Sequence, residues 1–587
     1  MGKQKDQLPP EFVLSRSRGI AQEPKDFEWV RRNIPCQAAC PAGTDIPAYL
    51  DAVARGDYAA AYAINLRDNV FPGVLGRVCT RPCEPPCRHG WEGLGEPVAI
   101  CFSKRSADEQ RARREPVLLD PLFPTSGKSV GVVGAGAAGL TVARELRLWG
   151  HAVTVYERAP QPGGLMVQGI PAFRLPRDVV TLEIEQITAL GVELRCGVDI
   201  GQTLTEDDLQ AAHDAVVWAT GTHAPNWPGW PGIERPGVRH GLDFLKAFNG
   251  QGQVPCGRQV AVIGGGFTAV DCARVARRLG AEAVTVYYRR SERDMYISGH
   301  EVEEMRREGI GFQPLTMPLA ILGAGKDGVV HALRMAPTVL GASDAQGRPI
   351  PEPQMDAVYD VSADTVLLAT GQHRDQAGQV VADQIAASAT GNQHRSHWFL
   401  AGDVALGALS LIDAIGHAKQ CARYVDRVLM GEDRWREVVW VEDAKTTGRT
   451  REMDAIPRQV MPTLPLAERG LAAEVETGFP EDQAQEEARR CYLCHYKYEI
   501  DNDLCIYCDR CLKVKPVENC IVKVSALQFD EESRITGLNP STSAENYNLL
   551  FIDQNECIRC GACADVCPVE CISLQKVSWR WQPARSS

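Results

Sequence analysis

Short, wholly apolar runs followed by segments of helical periodicity recur along the middle of the chain. Each such pair predicts a buried parallel strand and the helix that packs on it. The run Val130-Gly-Val-Val133 leads into Gly134-Ala-Gly136-Ala-Ala-Gly139-Leu and an amphipathic stretch. The next strand, HAVTVYER over 151–158, follows about twenty residues on and carries Glu157 near its end. Strand, G-x-G-x-x-G, helix and terminal acid make up a dinucleotide-binding fingerprint. Gly134 allows the tight turn, Gly136 lets the backbone approach a pyrophosphate, and Gly139 lets helix pack on strand. The helix N-terminus offers unpaired N–H groups to phosphates, and Glu157 can accept from a ribose diol.

The pattern then repeats at an offset of 130 residues. Val260-Ala-Val-Ile-Gly264-Gly-Gly266-Phe-Thr268-Ala269 matches Val130 to Gly139, and AVTVYYRR (283–290) matches AVTVYER. The chemistry differs between the copies. The third glycine is Ala269, Tyr288 stands in the place of Glu157, and Arg289 and Arg290 follow. Without the acid there is no diol acceptor, whereas two guanidiniums offer bidentate partners for a 2′-phosphate. This site is read as NADP-preferring, with NAD still open. DTVLLATGQ (364–372) resembles AVVWATGT (215–222), and WFLAGD then places Gly402 and Asp403 at a strand end before a helix, with Asp403 available to ribityl hydroxyls. The expectation is a flavin-type fold over 126–250 and 366–435, interrupted by a nicotinamide fold over 251–365. GNQHRSHW, with His394 and His397, reads as a solvated loop.

The flanks have a different texture. Residues 1–125 carry helical spacing in IPAYLDAVARGDYAAAYAIN and two cysteine groups, Cys36-x3-Cys40-Pro and Cys79-x3-Cys83-x3-Cys87, followed by Cys101. Residues 436–500 give few signals until a polar helix carrying Cys491-x2-Cys494. Residues 501–587 hold a third repeat. Cys505, Cys508 and Cys511, followed by Lys515-Pro and Cys520, align with Cys557, Cys560 and Cys563, followed by Cys567-Pro and Cys571. The second copy is the C-x2-C-x2-C-x3-C-P run of bacterial two-cluster ferredoxins. A zinc site would need only four ligands in closed pairs.

Composition narrows the class. A chain of 587 residues has room for about four domains, and with 44% hydrophobic and 24% charged residues it can bury large cores. Net charge −12 argues against a nucleic-acid partner, and no run of eighteen apolar residues predicts a membrane span. The opening MGKQKDQLPPEF lacks the apolar run of a secretory signal, and Asp6 stands where a myristoylation motif wants Ser or Thr. Most of the 21 cysteines fall at cluster-ligand gaps rather than as a small disulfide scaffold, so a cytoplasmic setting is expected.

GGLMVQGIPAFRLP, VIGGGFTAVDCARVARRLGAEAVTVYYRR and WFLAGD carry a family resemblance. The central region resembles the small, flavin-bearing subunit of NADPH-dependent glutamate synthase. The N-terminal module resembles the two-cluster module shared with dihydropyrimidine dehydrogenase, and the tail resembles a two-[4Fe–4S] ferredoxin. The resemblance implies an α/β architecture of two Rossmann-like dinucleotide-binding domains, an N-terminal α-helical Fe–S module and a C-terminal ferredoxin-like α+β domain. It implies FAD at the first fold and NADP(H) at the second. It carries cofactor contacts onto Gly164, Leu165, Arg174, Gly221, Thr268 and Gly371 besides the residues above.

It also implies four [4Fe–4S] clusters. Family members open the N-terminal module with a C-x2-C pair in an E-A-x-R-C-L-x-C context. Here RRNIP precedes Cys36, and EARRCYLC lies at 487–494. Cys491 and Cys494 are therefore expected to fold back and complete one set with Cys36 and Cys87. A second set takes Cys40, Cys79 and Cys83, with Cys101 in place of a carboxamide or carboxylate ligand that would fall near Ser103-Lys104. In the tail, fourth ligands cross between repeats, so Cys567 joins Cys505, Cys508 and Cys511. Lys515 vacates the reciprocal place beside Cys557, Cys560 and Cys563, and Cys520 is the substitute, with Cys571 its competitor. Cys196, Cys256, Cys272, Cys421 and Cys571 are left as core or surface thiols.

A flavin between a nicotinamide and clusters converts hydride chemistry into one-electron transfers. No C-x-x-C pair accompanies the flavin motifs, which argues against disulfide reductase chemistry, and no side chain is assigned a catalytic role. The leading expectation is an electron-transfer subunit in a hetero-oligomer. Its partner would be a ferredoxin or a catalytic subunit such as a glutamate synthase large subunit or a 2-oxoacid:ferredoxin oxidoreductase. The competing readings are a self-sufficient flavoenzyme reducing a small organic substrate, and a non-catalytic cluster-bearing scaffold.

Overall fold

In a computed structural model, the protein is described over 27–584, apart from 92, 112–116, 118, 296, 298, 324–327, 345–346, 390–396, 530–534, 542 and 544–548. The opening twelve residues and His394 lie outside the described residues. Two five-stranded parallel sheets form the centre. The first runs Trp398–Leu400, Ala215–Trp218, Ser129–Val133, Ala152–Glu157, Glu193–Cys196. Its inner strands are covered on both faces, which is why they read as unbroken apolar runs: Val130, Val132, Val155 and Val217 are fully buried. Each such side chain contributes roughly 1.5–3 kcal/mol.

The second sheet runs Val238–His240, Thr365–Leu368, Gln259–Ile263, Ala283–Tyr287, Gly311–Gln313. Thr365–Leu368 therefore pairs with Gln259–Ile263 in the second fold, so the division expected at residue 366 falls inside a strand of that fold. Val238–His240 and the helix Gly241–Gln251 also belong there rather than to the first fold. The reason is the repeat itself. ATG at 369–371 resembles ATG at 219–221 because each ends the equivalent strand of its own copy. The chain crosses between the folds at a two-stranded ribbon, Ala224–Pro225 against Gln372–His373.

The N-terminal module is helical, from Phe27–Asn33 to Ile100–Glu109. Pro72–Val78 lies so close to Ile100–Glu109 that a Cβ on Gly76 would come 2.7 Å from the Arg105 Cα. The helix Glu481–Arg489 returns from far downstream to pack on Ile46–Ala54 and Ile100–Glu109. The segment after 435 is more ordered than its sequence advertises. Trp435–Ala444 is a ten-residue strand, paired along its whole length with Ile572–Pro583, which also pairs Tyr496–Ile500. The alternation in WREVVWVEDA is its signal. In the tail, Ile521–Phe529 lies between Ile535–Pro540 and Leu549–Ile552.

One apolar core runs through the N-terminal module, the first fold and the tail. The second fold keeps cores of its own, around Val262 and Leu333.

Candidate functional site

The glycines of the first fingerprint are imposed by contact. Gly134 has φ +106°, and a Cβ there would meet the Ala219 carbonyl at 2.6 Å. A Cβ on Gly139 would sit 1.9 Å from the Gly134 carbonyl oxygen. The second copy reproduces this geometry: a Cβ on Gly264 would lie 2.4 Å from the Ala369 carbonyl. Gly136 and Gly266, by contrast, face open space or only Gly164 at 3.9 Å, as a backbone that admits a pyrophosphate requires.

A cavity of about 320 Å³ opens above these turns. Gly134, Gly136, Glu157, Gly164, Leu165, Arg174, Gly221, Thr268 and Asp403 line it, so most of the expected cofactor residues converge. Gly371 and Gly402 do not line it: the Gly371 carbonyl accepts from Asn226 N–H (3.1 Å) and from His240 Nε2 (3.2 Å). Gly402 donates its N–H to His417 Nδ1 (3.1 Å). Glu157 accepts from the N–H of Ala135 (2.7 Å) and of Ala159 (2.8 Å), which fixes the turn while each oxygen keeps a lone pair. Arg174 lines the cavity, yet its guanidinium is committed to Asp271 (2.9 Å) and Glu301 (2.5 Å) and so ties the first fold to the second. The twenty-residue helix Leu411–Met430, capped by Ser410, aims its N-terminus at the cavity through Leu411 and Ala414. The sequence reading did not assign it.

The donor set fits a flavin. Asp403 Oδ1 and Thr220 Oγ1 are buried on this cavity with no hydrogen-bond partner among the described residues, as acceptors and donors waiting for a polyhydroxyl chain would be. Burial, and then Asp413, push Asp403 up to about 7.

At the second fold, Tyr288 takes the acid's place with its ring under Gly265 and its hydroxyl donating to the Asp294 carbonyl (2.9 Å). The two arginines separate. Arg290 is buried, donating to the Pro349 carbonyl (2.7 Å) and lying 3.6 Å from Asp344. Arg289 is exposed, with no ion-pair partner among the described residues. The pair expected to share one phosphate is thus one structural arginine and one outward-facing arginine.

The cysteines gather into four sets. Burial, then Cys494, Cys491 and Cys87, push the Cys36 thiol up. The downstream pair does fold back. Cys79, Cys83 and Cys101 are neighbours. Lys104 lies among them and Cys40: burial works against its charge, but Cys101, Cys79, Cys40 and Cys83 hold it above the ordinary lysine value. Burial, then Cys557, Cys560, Cys511 and Cys520, raise Cys563. Cys520, not Cys571, therefore lies in that set. Cys571 is at the set of Cys505, Cys508, Cys511 and Cys567, with which it lines one small cavity. It is not a leftover thiol, whereas Cys272 and Cys421 are buried in the folds away from the sets.

These sets fit anionic clusters. Lys104 is 3% exposed and has no carboxylate partner among the described residues, so an ammonium is buried facing only sulfur. A buried unpaired charge is too costly to keep without an anion beside it. Arg88 Nε and Arg449 Nε and Nη1 are likewise buried donors without partners, near Cys494 and Cys491. Among the described residues no group of three or more His, Cys, Asp or Glu is drawn in around a single metal ion.

The sets also form a sequence. Val78 and Thr80, on either side of Cys79, line the flavin cavity. Tyr49 feels the charges of Cys83, Cys101, Cys36 and Cys40 and so lies between the set of Cys79 and the set of Cys36. Tyr492 feels those of Cys560 and Cys87, between the set of Cys36 and the set of Cys557. Cys563 feels that of Cys511, which brings the set of Cys557 beside the set of Cys505. The fourth set reaches the surface at Cys508 beside Leu504 (57% exposed) and Ile506 (59%).

Most of the chain is similar to known proteins. The family model for dihydropyrimidine dehydrogenase domain II, 4Fe–4S cluster, matches residues 31–115, and that for a 4Fe–4S binding domain matches 550–573. The chain is 35% identical to the NADP(+)-dependent formate dehydrogenase subunit beta of Moorella thermoacetica, over 78% of this chain and 70% of that one. It is 33% identical to the NADPH-Fe(3+) oxidoreductase subunit beta of Geobacter sulfurreducens, over 78% and 75%. It is 32% identical to the glutamate synthase [NADPH] small chain of Escherichia coli, over 66% and 87%. Among the described residues no helix is long and apolar enough to cross a membrane. Among the described residues no cysteine lines the flavin cavity. The model for pyridine nucleotide-disulphide oxidoreductase matches residues 128–423, half the chain, and together with these relatives it shows that the chain belongs to that family of FAD- and NAD(P)-dependent oxidoreductases.

Proposed function

We propose that the chain is the electron-transfer subunit of a hetero-oligomeric oxidoreductase, exchanging electrons between NADP(H) and a second redox protein. When bound, FAD trades a hydride's two electrons with the nicotinamide, and [4Fe–4S] clusters carry them singly. The observation that carries the reading is the place of Cys79. Its neighbours Val78 and Thr80 are wall residues of the flavin cavity, so the first thiol set begins where that cavity ends.

The chain's own residues divide the work. Gly136, Gly164, Glu157 and Asp403 would hold FAD, and Gly264, Gly266, Thr268 and Arg289 would hold the nicotinamide nucleotide. Cys40, Cys79, Cys83 and Cys101 would hold the cluster nearest the flavin. Cys36, Cys87, Cys491 and Cys494 would hold the next, and Cys520, Cys557, Cys560 and Cys563 the third. The outermost would sit on Cys505, Cys508 and Cys511 with Cys567. The exposed Leu504 and Ile506 beside Cys508 suit the docking of a ferredoxin or a catalytic subunit. The beta- and small-subunit names of the relatives support such a partner. Cluster-bound thiols support a reducing, cytoplasmic setting.

Anaerobic purification from the native host tests this. A second redox subunit that co-purifies and exchanges electrons with NADPH through this chain is expected. Full-rate turnover of a small organic substrate by the chain alone would favour the self-sufficient flavoenzyme instead.

A further inference from the structure

The two halves of the tail match in sequence but differ in how their thiol sets are closed. Lys515 stands in the first repeat where Cys567 stands in the second, and Cys520 stands where Cys571 does. Lys515 Nζ donates to the carbonyls of Glu518 and Ile521, the latter at 2.8 Å, so an ammonium closes that loop. Cys520 is left beside Cys557 and Cys560. The second repeat has a cysteine at both positions. Their Sγ atoms lie 3.4 Å apart, and the Cys571 N–H donates to Cys567 Sγ at 3.4 Å. Both line the same small cavity as Cys505, Cys508 and Cys511. Five thiols thus face a site that needs four.

We propose that Cys571 is a fifth thiol of the outermost cluster and exchanges with Cys567 as its fourth ligand. The proposal rests on the reading that this set holds a [4Fe–4S] cluster. In the exchange, the iron–sulfur bond to Cys567 breaks as the bond to Cys571 forms. The proton leaving the Cys571 thiol passes to the departing Cys567 thiolate, and no electron changes hands. The short sulfur–sulfur separation lets this happen with little backbone movement. By the repeat, Cys571 closes its set as Cys520 closes the other. The two ligations differ in their hydrogen bonds to sulfur, which is one of the quantities that set a cluster's potential. The outermost cluster, nearest the partner, therefore has two potentials available to it.

The test uses the full anaerobically purified chain as wild type, Cys567→Ala, Cys571→Ala and the double variant. Iron per chain should be about sixteen in the wild type and both single variants, and about twelve in the double variant. Loss of about four irons from Cys567→Ala alone overturns the exchange. Electron paramagnetic resonance of the reduced wild type gives a readout independent of variant folding. Two overlapping signals from the outermost cluster are expected, with one surviving in each single variant. A single component, identical in the wild type and Cys571→Ala, makes Cys571 a bystander. A wild type holding only about twelve irons would instead remove the cluster reading on which the proposal stands.

Discussion

Arg88 and Arg559 both donate to the Cys557 carbonyl, and both reach the same side-chain oxygen, Asn33 Oδ1, at 2.9 and 2.8 Å. They are 1% and 0% exposed, and no carboxylate ion-pairs with either among the described residues. Burial, and then Arg559, lower Arg88 to about 10. Two like charges share a dry site between the thiol sets of Cys87 and Cys560.

Such a pair is tolerable beside anionic clusters, and it favours their reduced, more negative state. Arg559→Gln should lower the midpoint potential of the neighbouring clusters by on the order of 59 mV, one tenfold step for a one-electron couple. A redox titration followed by electron paramagnetic resonance reads this, and unchanged potentials would show that the pair serves packing alone.

Lys104 makes the same argument at the flavin end. Lys104→Met should lower the potential of the cluster on Cys40, Cys79, Cys83 and Cys101 and slow its reduction after the flavin bleaches. A redox titration of the anaerobically purified variant reads this, and a potential equal to the wild type's would show that the Lys104 ammonium does not act on that cluster.

Arg289 and Arg290 should separate in kinetics. Losing one charge-assisted bond to a 2′-phosphate costs about 1.5–3 kcal/mol, so Arg289→Ala should reduce the preference for NADPH over NADH by roughly ten- to a hundredfold. Arg290→Ala removes a guanidinium packed on the Pro349 carbonyl and Asp344 and should lower the melting temperature instead. Equal loss of NADPH preference in both variants would restore the two-arginine clamp.

Asp403 gives a pH prediction. Its carboxyl sits at about 7 in the fold against an ordinary 3.8. A raised acid binds its proton more tightly when folded, so its ionisation penalty appears as pH rises above 3.8 and is complete above about 7. Flavin-stripped Asp403→Asn should therefore be more stable than wild type at pH 8.5, by up to about 4 kcal/mol, and nearly equal to it at pH 4. Thermal unfolding at the two pH values decides it; a gap that is the same at both removes Asp403 as the cause.

The two fingerprints and the inserted order of the folds were legible in spacing and repeat, and the return of Cys491 and Cys494 in the resemblance of EARRCYLC to the family's opening context. Gly139 touches backbone that its own motif supplies, the Gly134 carbonyl. The boundary near residue 366 was misread because equivalent strands of a repeat end in the same ATG, and sequence does not say to which copy an edge belongs. Arg290 looked like a ligand because it and Arg289 follow the strand Ala283–Tyr287 together, and only the fold shows that the bend there turns Arg290 in to the Pro349 carbonyl and leaves Arg289 exposed. Lys104 and the Arg88–Arg559 pair were invisible for another reason. Their meaning comes from lacking a counter-charge in three dimensions, across separations of hundreds of residues for Arg88 and Arg559.

The central claim is that the cavity and the four thiol sets form one continuous conductor. Freeze-quench electron paramagnetic resonance tests it most directly. The isolated chain is reduced chemically, freed of reductant under anaerobic conditions, and mixed with NADP+. The account predicts that all the cluster signals disappear in step with NADPH formation, and that Cys79→Ala leaves the distal signals standing while its flavin still reoxidises. Distal signals that persist in the wild type while the flavin reoxidises would contradict it.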